Sequence, residues 1–327
     1  MRVLVTGGAG FIGSHLCEYL LDRGHSVVSV DNFATGSRDN VNRYRGRAGF
    51  SFFEGDCTER GVLKLLVREC DAAVHLAAAV GVQKTFDEPL WTLETNIDAT
   101  HAILKTCKDF NTRLLIASTS EVYGRSSQQV FGENDDLLIG PPTSPRWGYA
   151  ASKLVDEFFA LAYHAEFKLP VTIIRFFNTV GPRQTGRYGM VIPRLIRQAI
   201  GNEDLTIFGD GEQRRTFTAV NQAVQAVVEL IDCPASIGTV LNLGGNAEVS
   251  INQLADIIIR MTNSKSRKRY IEYADFYGAH FEDMRRRNPD TRKLHQTLGW
   301  APQSTIEEIL APIIEDIRAR VGAGEQT

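Results

Sequence analysis

Three glycines at intervals of three, Gly7, Gly10 and Gly13, stand between the β-rich run Arg2-Val3-Leu4-Val5-Thr6 and a helical pattern. That pattern carries Ile12, Leu16, Tyr19 and Leu20 on one face and stops at Gly24. Ser26-Val27-Val28-Ser29-Val30 then reads as a second buried strand, ending in Asp31. Strand, glycine turn, helix, strand and acid in this order constrain the segment to a β-α-β unit of the dinucleotide-binding type. Glycines in the turn let the backbone approach a pyrophosphate, and the helix start offers free N–H groups and a positive dipole end. Asp31 accepts hydrogen bonds from adenosine ribose hydroxyls and repels a 2′-phosphate, so NAD is expected over NADP. A tight turn with no ligand would account for the glycines but not for the flanking elements.

Alternating β and α signals continue beyond it. Phe50 to Phe53, Ala72 to Leu76, Leu114 to Ala117 and Val171 to Ile174 are short apolar runs. They close in Gly55-Asp56, Ala77-Ala78-Ala79, Ser118-Thr119 and Phe176-Phe177-Asn178. Runs apolar on both faces fit a parallel sheet covered by helices on both sides. The expected fold is therefore α/β, a doubly wound parallel (Rossmann) sheet with a smaller C-terminal substrate-binding lobe. Residues 1–177 are assigned to the sheet domain, to which part of the later chain returns, and residues 178–327 mainly to the lobe. Ligands in such sheets lie beyond the carboxyl ends of the strands, so the residues closing each run are the site candidates.

Composition removes other classes. Lys plus Arg is 36 against Asp plus Glu at 39, which gives no net positive field for nucleic acid. No apolar run reaches the roughly 18 residues of a membrane span, and the N-terminus does not read as a secretory signal. The five cysteines, Cys17, Cys57, Cys70, Cys107 and Cys233, form no C-x-x-C pair, and the histidines form no H-x-x-x-H pair. A disulfide framework or metal site is not expected, and a cytoplasmic location is.

Tyr149 and Lys153 form Y-x-x-x-K, one turn apart on a helix that follows Pro141, Pro142 and Pro145. An ammonium beside a phenol favours the phenolate, making the tyrosine a base near neutral pH. Thr119 closes a central strand, where its hydroxyl can bond a reacting oxygen. Ser120 and Glu121 follow it in the segment Ser118-Thr119-Ser120-Glu121-Val122-Tyr123-Gly124.

Taken with the segment TGGAGFIGSHL, these residues resemble the extended short-chain dehydrogenase/reductase family, in its epimerase/dehydratase branch that modifies nucleotide sugars. The resemblance runs from Thr6 to about Pro302. It implies a catalytic set of Thr119, Tyr149 and Lys153, with Ser120 and Glu121 beside them. Tyr149 and Lys153 would also contact the cofactor, together with Gly7, Gly10, Phe11, Ile12, Asp31, Asn32, Asp56, Cys57, Leu76, Ala77 and Ala78. Asn178, Arg187, Val191, Arg215 and Arg287 would hold the nucleotide sugar. Arg183 and Arg187 beside Arg215 read as an anion pocket.

The 4,6-dehydratases of this family carry an acid where Ser120 stands, whereas T-S-E and the Arg287-Asn288-Pro289-Asp290 segment resemble the uridine-diphosphate-glucuronate decarboxylases. The segment from Phe217 to Gln222 lacks an acid that the family usually has. The favoured expectation is an NAD-dependent enzyme that oxidises sugar C4 transiently and decarboxylates UDP-glucuronate. A UDP-glucose or UDP-glucuronate 4-epimerase is the alternative, followed by a 4,6-dehydratase or a non-catalytic NAD-binding regulator. A homodimer is expected. Ser304-Thr305-Ile306-Glu307 reads as the capping box of a last helix with Ile306, Leu310, Ile313 and Ile317 inward.

Overall fold

A computed structural model of the chain describes residues 1–80, 85, 87–184, 190–273 and 284–323. Seven parallel strands form the central sheet: β1 (Arg2–Thr6), β2 (Ser26–Asp31), β3 (Phe50–Glu54), β4 (Ala72–His75), β5 (Arg113–Thr119), β6 (Val171–Phe176) and β7 (Thr239–Leu243). Their order is β7-β6-β5-β4-β1-β2-β3. The chain starts in the middle, runs out to β3, then returns to build the other half from β4. The strand order reverses between β1 and β4, which opens a crevice at their carboxyl ends.

Alternate residues of each inner strand enter two cores. Val3, Val5, Val27 and Leu115 pack with α1 (Phe11–Asp22) and α5 (Val220–Ile231). Leu4, Val28, Leu114 and Ile116 face the opposite core, which includes residues of α2 (Pro89–Phe110) and α3 (Arg146–Phe167). Burial on both faces explains why these strands are uniformly apolar. β3 departs from that expectation. It is the sheet edge, and Ser51 and Phe53 are exposed.

After β6 the chain crosses between layers. α5 packs on α1, and β7 pairs with β6 in parallel register, Leu241 beside Ile174. A third core joins α4 (Val191–Ile200), α6 (Ile251–Thr262) and α7 (Ile306–Gly322). Ile306, Leu310, Ile313 and Ile317 all point into it. The capping box of α7 lies one residue later than read from sequence. Thr305 is the N-cap and Glu308 completes the box, while the Ser304 hydroxyl bonds Gln222 instead.

Short strands flank the crevice. Arg214–Thr216 pairs in parallel with Arg286–Arg287, placing Arg214 beside Arg286 and Arg215 beside Arg287. Side chains alternate faces along a strand. Arg214 and Arg286 therefore share one face, where both grip Glu248, and Arg215 and Arg287 share the other, toward the crevice. The third arginine of the triplet, Arg285, is exposed and pairs with Asp210. No helix among the described residues is long and apolar enough to cross a membrane. The described cysteines are all free, and no described cluster of His, Cys, Asp and Glu could hold a metal.

Candidate functional site

The crevice is a cavity of about 720 Å³ running from the β1 glycine loop to the Arg215–Arg287 face. Every site residue read from the sequence borders it except Arg187, which lies outside the described residues. Gly7 follows β1 at φ +73°, and a Cβ there would stand 2.7 Å from the Ala77 nitrogen beyond β4. A Cβ on Gly10 would come to 3.1 Å, and one on Gly13 to 2.1 Å, from the Gly7 carbonyl oxygen. The three glycines thus keep the start of α1 tight against the turn. Gly10 caps α1 without a side-chain bond and no acid occupies its first turn, so its N–H groups remain available to an anion.

Asp31, at the end of β2, accepts from the Ala9 N–H at 3.0 Å and the Phe33 N–H at 2.7 Å. Burial pushes its carboxyl up, and these two bonds oppose that. One bond per oxygen leaves lone pairs for ribose hydroxyls. Asn32 donates to Asp56 at 3.0 Å across the mouth of this end, with Cys57 buried behind them. Phe11, Ile12, Leu76, Ala77 and Ala78 supply apolar wall. The glycine cradle, uncapped helix and ribose-facing carboxylate fit a dinucleotide.

Catalytic candidates converge where β5 meets α3. Thr119 ends β5 and its Oγ1 accepts from the Glu121 N–H at 3.2 Å, capping the short 3₁₀ turn Ser120–Tyr123. Tyr149 lies in the first turn of α3, as the upstream prolines led one to expect, and the Thr119 hydroxyl stands near its phenol. Behind them, Arg175 on β6 grips Glu157 of α3 through two bonds of 3.0 and 2.7 Å, and Glu157 also accepts from Ser118. This buried, bidentate pair fixes α3 against the strands that carry the site.

The expected tuning of tyrosine by lysine meets a competing contact. The Lys153 ammonium is committed to the Asp156 carboxylate at 2.9 Å, and both are buried. Burial pushes the Tyr149 phenol above its ordinary range, with the charges of Glu121 and Asp156 adding to the rise and the Thr119 hydroxyl opposing it. The residues around Tyr149 thus favour its protonated form before NAD is bound.

Glu121 is buried between two arginines, Arg146 at 2.9 Å and Arg287 at 2.5 Å. Desolvation opposes its charge, but Arg146, Arg287 and then Arg215 outweigh it and pull the carboxyl down to about 2. Glu121 is thus a permanent anion and a weak base, with cationic side chains on two sides. Arg287 is not part of a solvated arginine face, because only Arg285 of the triplet is. Asn178, at φ +34°, donates to the Thr216 carbonyl at 2.8 Å and so ties β6 to the Arg215 strand. Arg183 bonds His15 and Glu18 of α1, and its backbone N–H donates to Asp316 of α7, bracing α1 against α7 beside the cavity.

Two residues at this site were not singled out from the sequence, Arg146 and Asp156. With Tyr149 and Lys153 they fall at spacings of three, four and three along α3, which is a single helix face. That stripe was the available signal.

A crevice at a strand-order reversal, with an uncapped helix start and a Thr-Tyr pair at its far end, defines a dinucleotide-binding α/β protein whose cavity also has room for a second ligand. A family profile described as GDP-mannose 4,6 dehydratase matches residues 4–313, and the chain belongs to this NAD-dependent epimerase/dehydratase family, within the extended short-chain dehydrogenases/reductases. It is 38% identical to the UDP-N-acetyl-alpha-D-glucosaminuronate decarboxylase of Bacillus cytotoxicus, covering 97% of this chain and 98% of that one. It is 36% identical to UDP-glucuronic acid decarboxylase 1 of Xenopus tropicalis, over 97% of this chain and 72% of the relative. Among solved structures, the Bacillus cereus UDP-glucuronic acid 4-epimerase in complex with UDP-glucuronic acid and NAD matches with a TM-score of 0.87 and 30% identity, covering 98% and 99% of the two chains.

Proposed function

We propose that the chain is an NAD-dependent decarboxylase of a UDP-linked uronic acid, working through transient oxidation at sugar C4. The observation that carries this reading is the Glu121 carboxylate held between Arg146 and Arg287 in the same cavity as Thr119 and Tyr149. The names of the relatives support the substrate class.

Bound NAD supplies the hydride acceptor and later donor, together with a cationic nicotinamide ring. The glycine loop and the start of α1 would hold its pyrophosphate, Asp31 its adenosine ribose and Lys153 its nicotinamide ribose. Tyr149 Oη takes the proton of the C4 hydroxyl, and Thr119 Oγ1 bonds the same oxygen. Oxidation turns the uronate into a β-keto acid, whose C5–carboxylate bond breaks to release carbon dioxide and leave an enolate. Tyr149 and Thr119 then stabilise the enolate oxygen as hydrogen-bond donors, C5 takes a proton from water where the carboxylate left, and Tyr149 returns its proton to the C4 oxygen as the ketone is reduced. Arg287 and Arg146 attract the uronate carboxylate beforehand, while Glu121 keeps the pocket from binding it too tightly in the ground state. Dehydration is disfavoured, because Ser120 offers no acid and a carboxylate at about 2 is a poor base for a C5 proton.

Incubation with a panel of nucleotide sugars, UDP-glucuronate and its N-acetylated counterpart among them, tests the reading by product mass. Loss of one carbon dioxide supports it. Unchanged mass with inverted C4 would establish the epimerase instead, and loss of one water the dehydratase. The panel also identifies the preferred substituent at C2. The assembly we infer is a homodimer, since adjacent helices α2 and α3 leave Leu90, Val155 and Phe158 exposed.

A further inference from the structure

We propose that Asp156 is a positioning residue that anchors the Lys153 ammonium and, by cancelling its charge, sets the pH at which Tyr149 gives up its proton. Asp156 lies one turn beyond Lys153 on the inner face of α3 and is 0% exposed, and Lys153 is 2% exposed. Asp156 Oδ2 accepts from Lys153 Nζ at 2.9 Å. Its Oδ1 has no well-formed hydrogen-bond partner, although Thr100 of α2 stands beside the carboxylate. A buried carboxylate with one oxygen unbonded is costly to keep unless its charge has a use.

Its surroundings define that use. From α3 itself the facing charged groups are Lys153, Glu157 and, through Lys153, Tyr149. From α2 comes the Thr100 hydroxyl, which also contacts His75 Nε2 at 3.3 Å. From β4 comes His75, fully buried and held neutral by desolvation, with its pKa pushed down to about 3 and Lys153 contributing. From the turn after β5 comes Glu121. Lys153 is therefore the cation of this group and Asp156 is bonded directly to it. Viewed from Tyr149, the Asp156 charge opposes that of Lys153. An ammonium without this partner would swing more freely on its four-carbon stem and would favour the phenolate more strongly. Asp156 trades that electrostatic help for a fixed lysine.

The test is the pH profile of kcat/KM for Asp156→Asn, an isosteric change that removes one charge and retains a hydrogen-bonding oxygen. The acid limb should move to lower pH by roughly half a unit to one unit, less than the 1–3 units of a directly touching charge. Activity at the acidic end should then exceed that of the wild type relative to each protein's maximum, and Asp156→Glu should return the limb toward its original position. A difference titration of phenolate absorbance between Asp156→Asn and Asp156→Asn/Tyr149→Phe reads the same ionisation without turnover. If the asparagine variant does not fold, Asp156→Ser removes the same charge and is read in the same way. A limb that stays in place or moves up, with only kcat reduced uniformly, overturns the proposal and leaves Asp156 a structural residue. The proposal rests on Tyr149 as the base, which the single Tyr149→Phe variant tests separately. An active phenylalanine variant removes the base itself, whereas an inactive one with an unmoved limb in Asp156→Asn removes only the role of Asp156.

Discussion

Replacing Glu121 by glutamine removes an anion that lies among the Arg146, Arg215 and Arg287 side chains while preserving shape. The carboxyl is held at about 2 against an ordinary 4.5, a difference worth about 3 kcal/mol of preferential interaction with the charged form. Because Glu121 and both ion-paired arginines are largely buried, solvent screens little of this. The magnitude also agrees with the roughly 3–5 kcal/mol lost when a buried pair loses one partner. With an unfolding entropy of about 2 cal/mol/K per residue, the expected fall in Tm is about 5 °C, read by scanning calorimetry of the NAD-loaded protein. Addition of UDP-glucuronate should then restore more stability to Glu121→Gln than to the wild type, because the uronate carboxylate supplies the negative charge that the arginines have lost. UDP-glucose, which lacks that carboxylate, should raise Tm in both proteins equally. An unchanged Tm would mean that the arginines are solvated and the cluster is not electrostatically coupled. Equal rescue by the two sugars would refute the assignment of this cluster to the uronate carboxylate.

Tyr149→Phe should leave cofactor and substrate affinity nearly intact and lower turnover at least ~10²-fold, the scale of losing a positioned acid–base group. A fully active variant in single-turnover assays would end the Tyr149 mechanism. Desolvation pushes buried His75 down to about 3 and half-buried His15 down to about 4 against 6.5 unfolded, so the unfolded chain binds protons that the folded chain does not. Stability is accordingly greatest above pH 6.5 and falls as pH drops, by about 2 kcal/mol for each histidine at pH 5. Urea midpoints at neutral pH and pH 5 check this, and a His75→Gln variant should show a flatter dependence. The Glu121 contribution has the opposite origin, a depressed acid, and is lost only between about 4.5 and about 2. Phe158→Glu should shift the sedimentation of the chain from dimer to monomer, and a chain that sediments as a monomer before substitution contradicts the homodimer.

The β-α-β start was legible because all its determinants are local. Glycine spacing, helix periodicity and a strand ending in an acid lie within thirty-one residues and impose one geometry. The strand Thr239–Leu243 is as apolar as its neighbours, but nothing nearby in sequence says that it will lie beside β6. The same limit governs the arginine triplet. From Arg285-Arg286-Arg287 alone, the three charges look equivalent. Pairing with Arg214–Thr216 sorts them, sending Arg286 to Glu248, Arg287 to Glu121 and leaving Arg285 in solvent. A capping-box motif is local too, yet both Ser304 with Glu307 and Thr305 with Glu308 satisfy it. Gln222, some eighty residues earlier, takes the Ser304 hydroxyl, and Thr305 is left to cap α7. The Asp156 partner of Lys153 was not legible for a related reason. Y-x-x-x-K describes a contact between two residues, but the pKa of the tyrosine depends on every charge the fold brings near it. The next turn of the helix supplied the carboxylate that offsets the lysine. A motif therefore identifies which groups can react, and the ionisation that makes them react is a property of the packed environment.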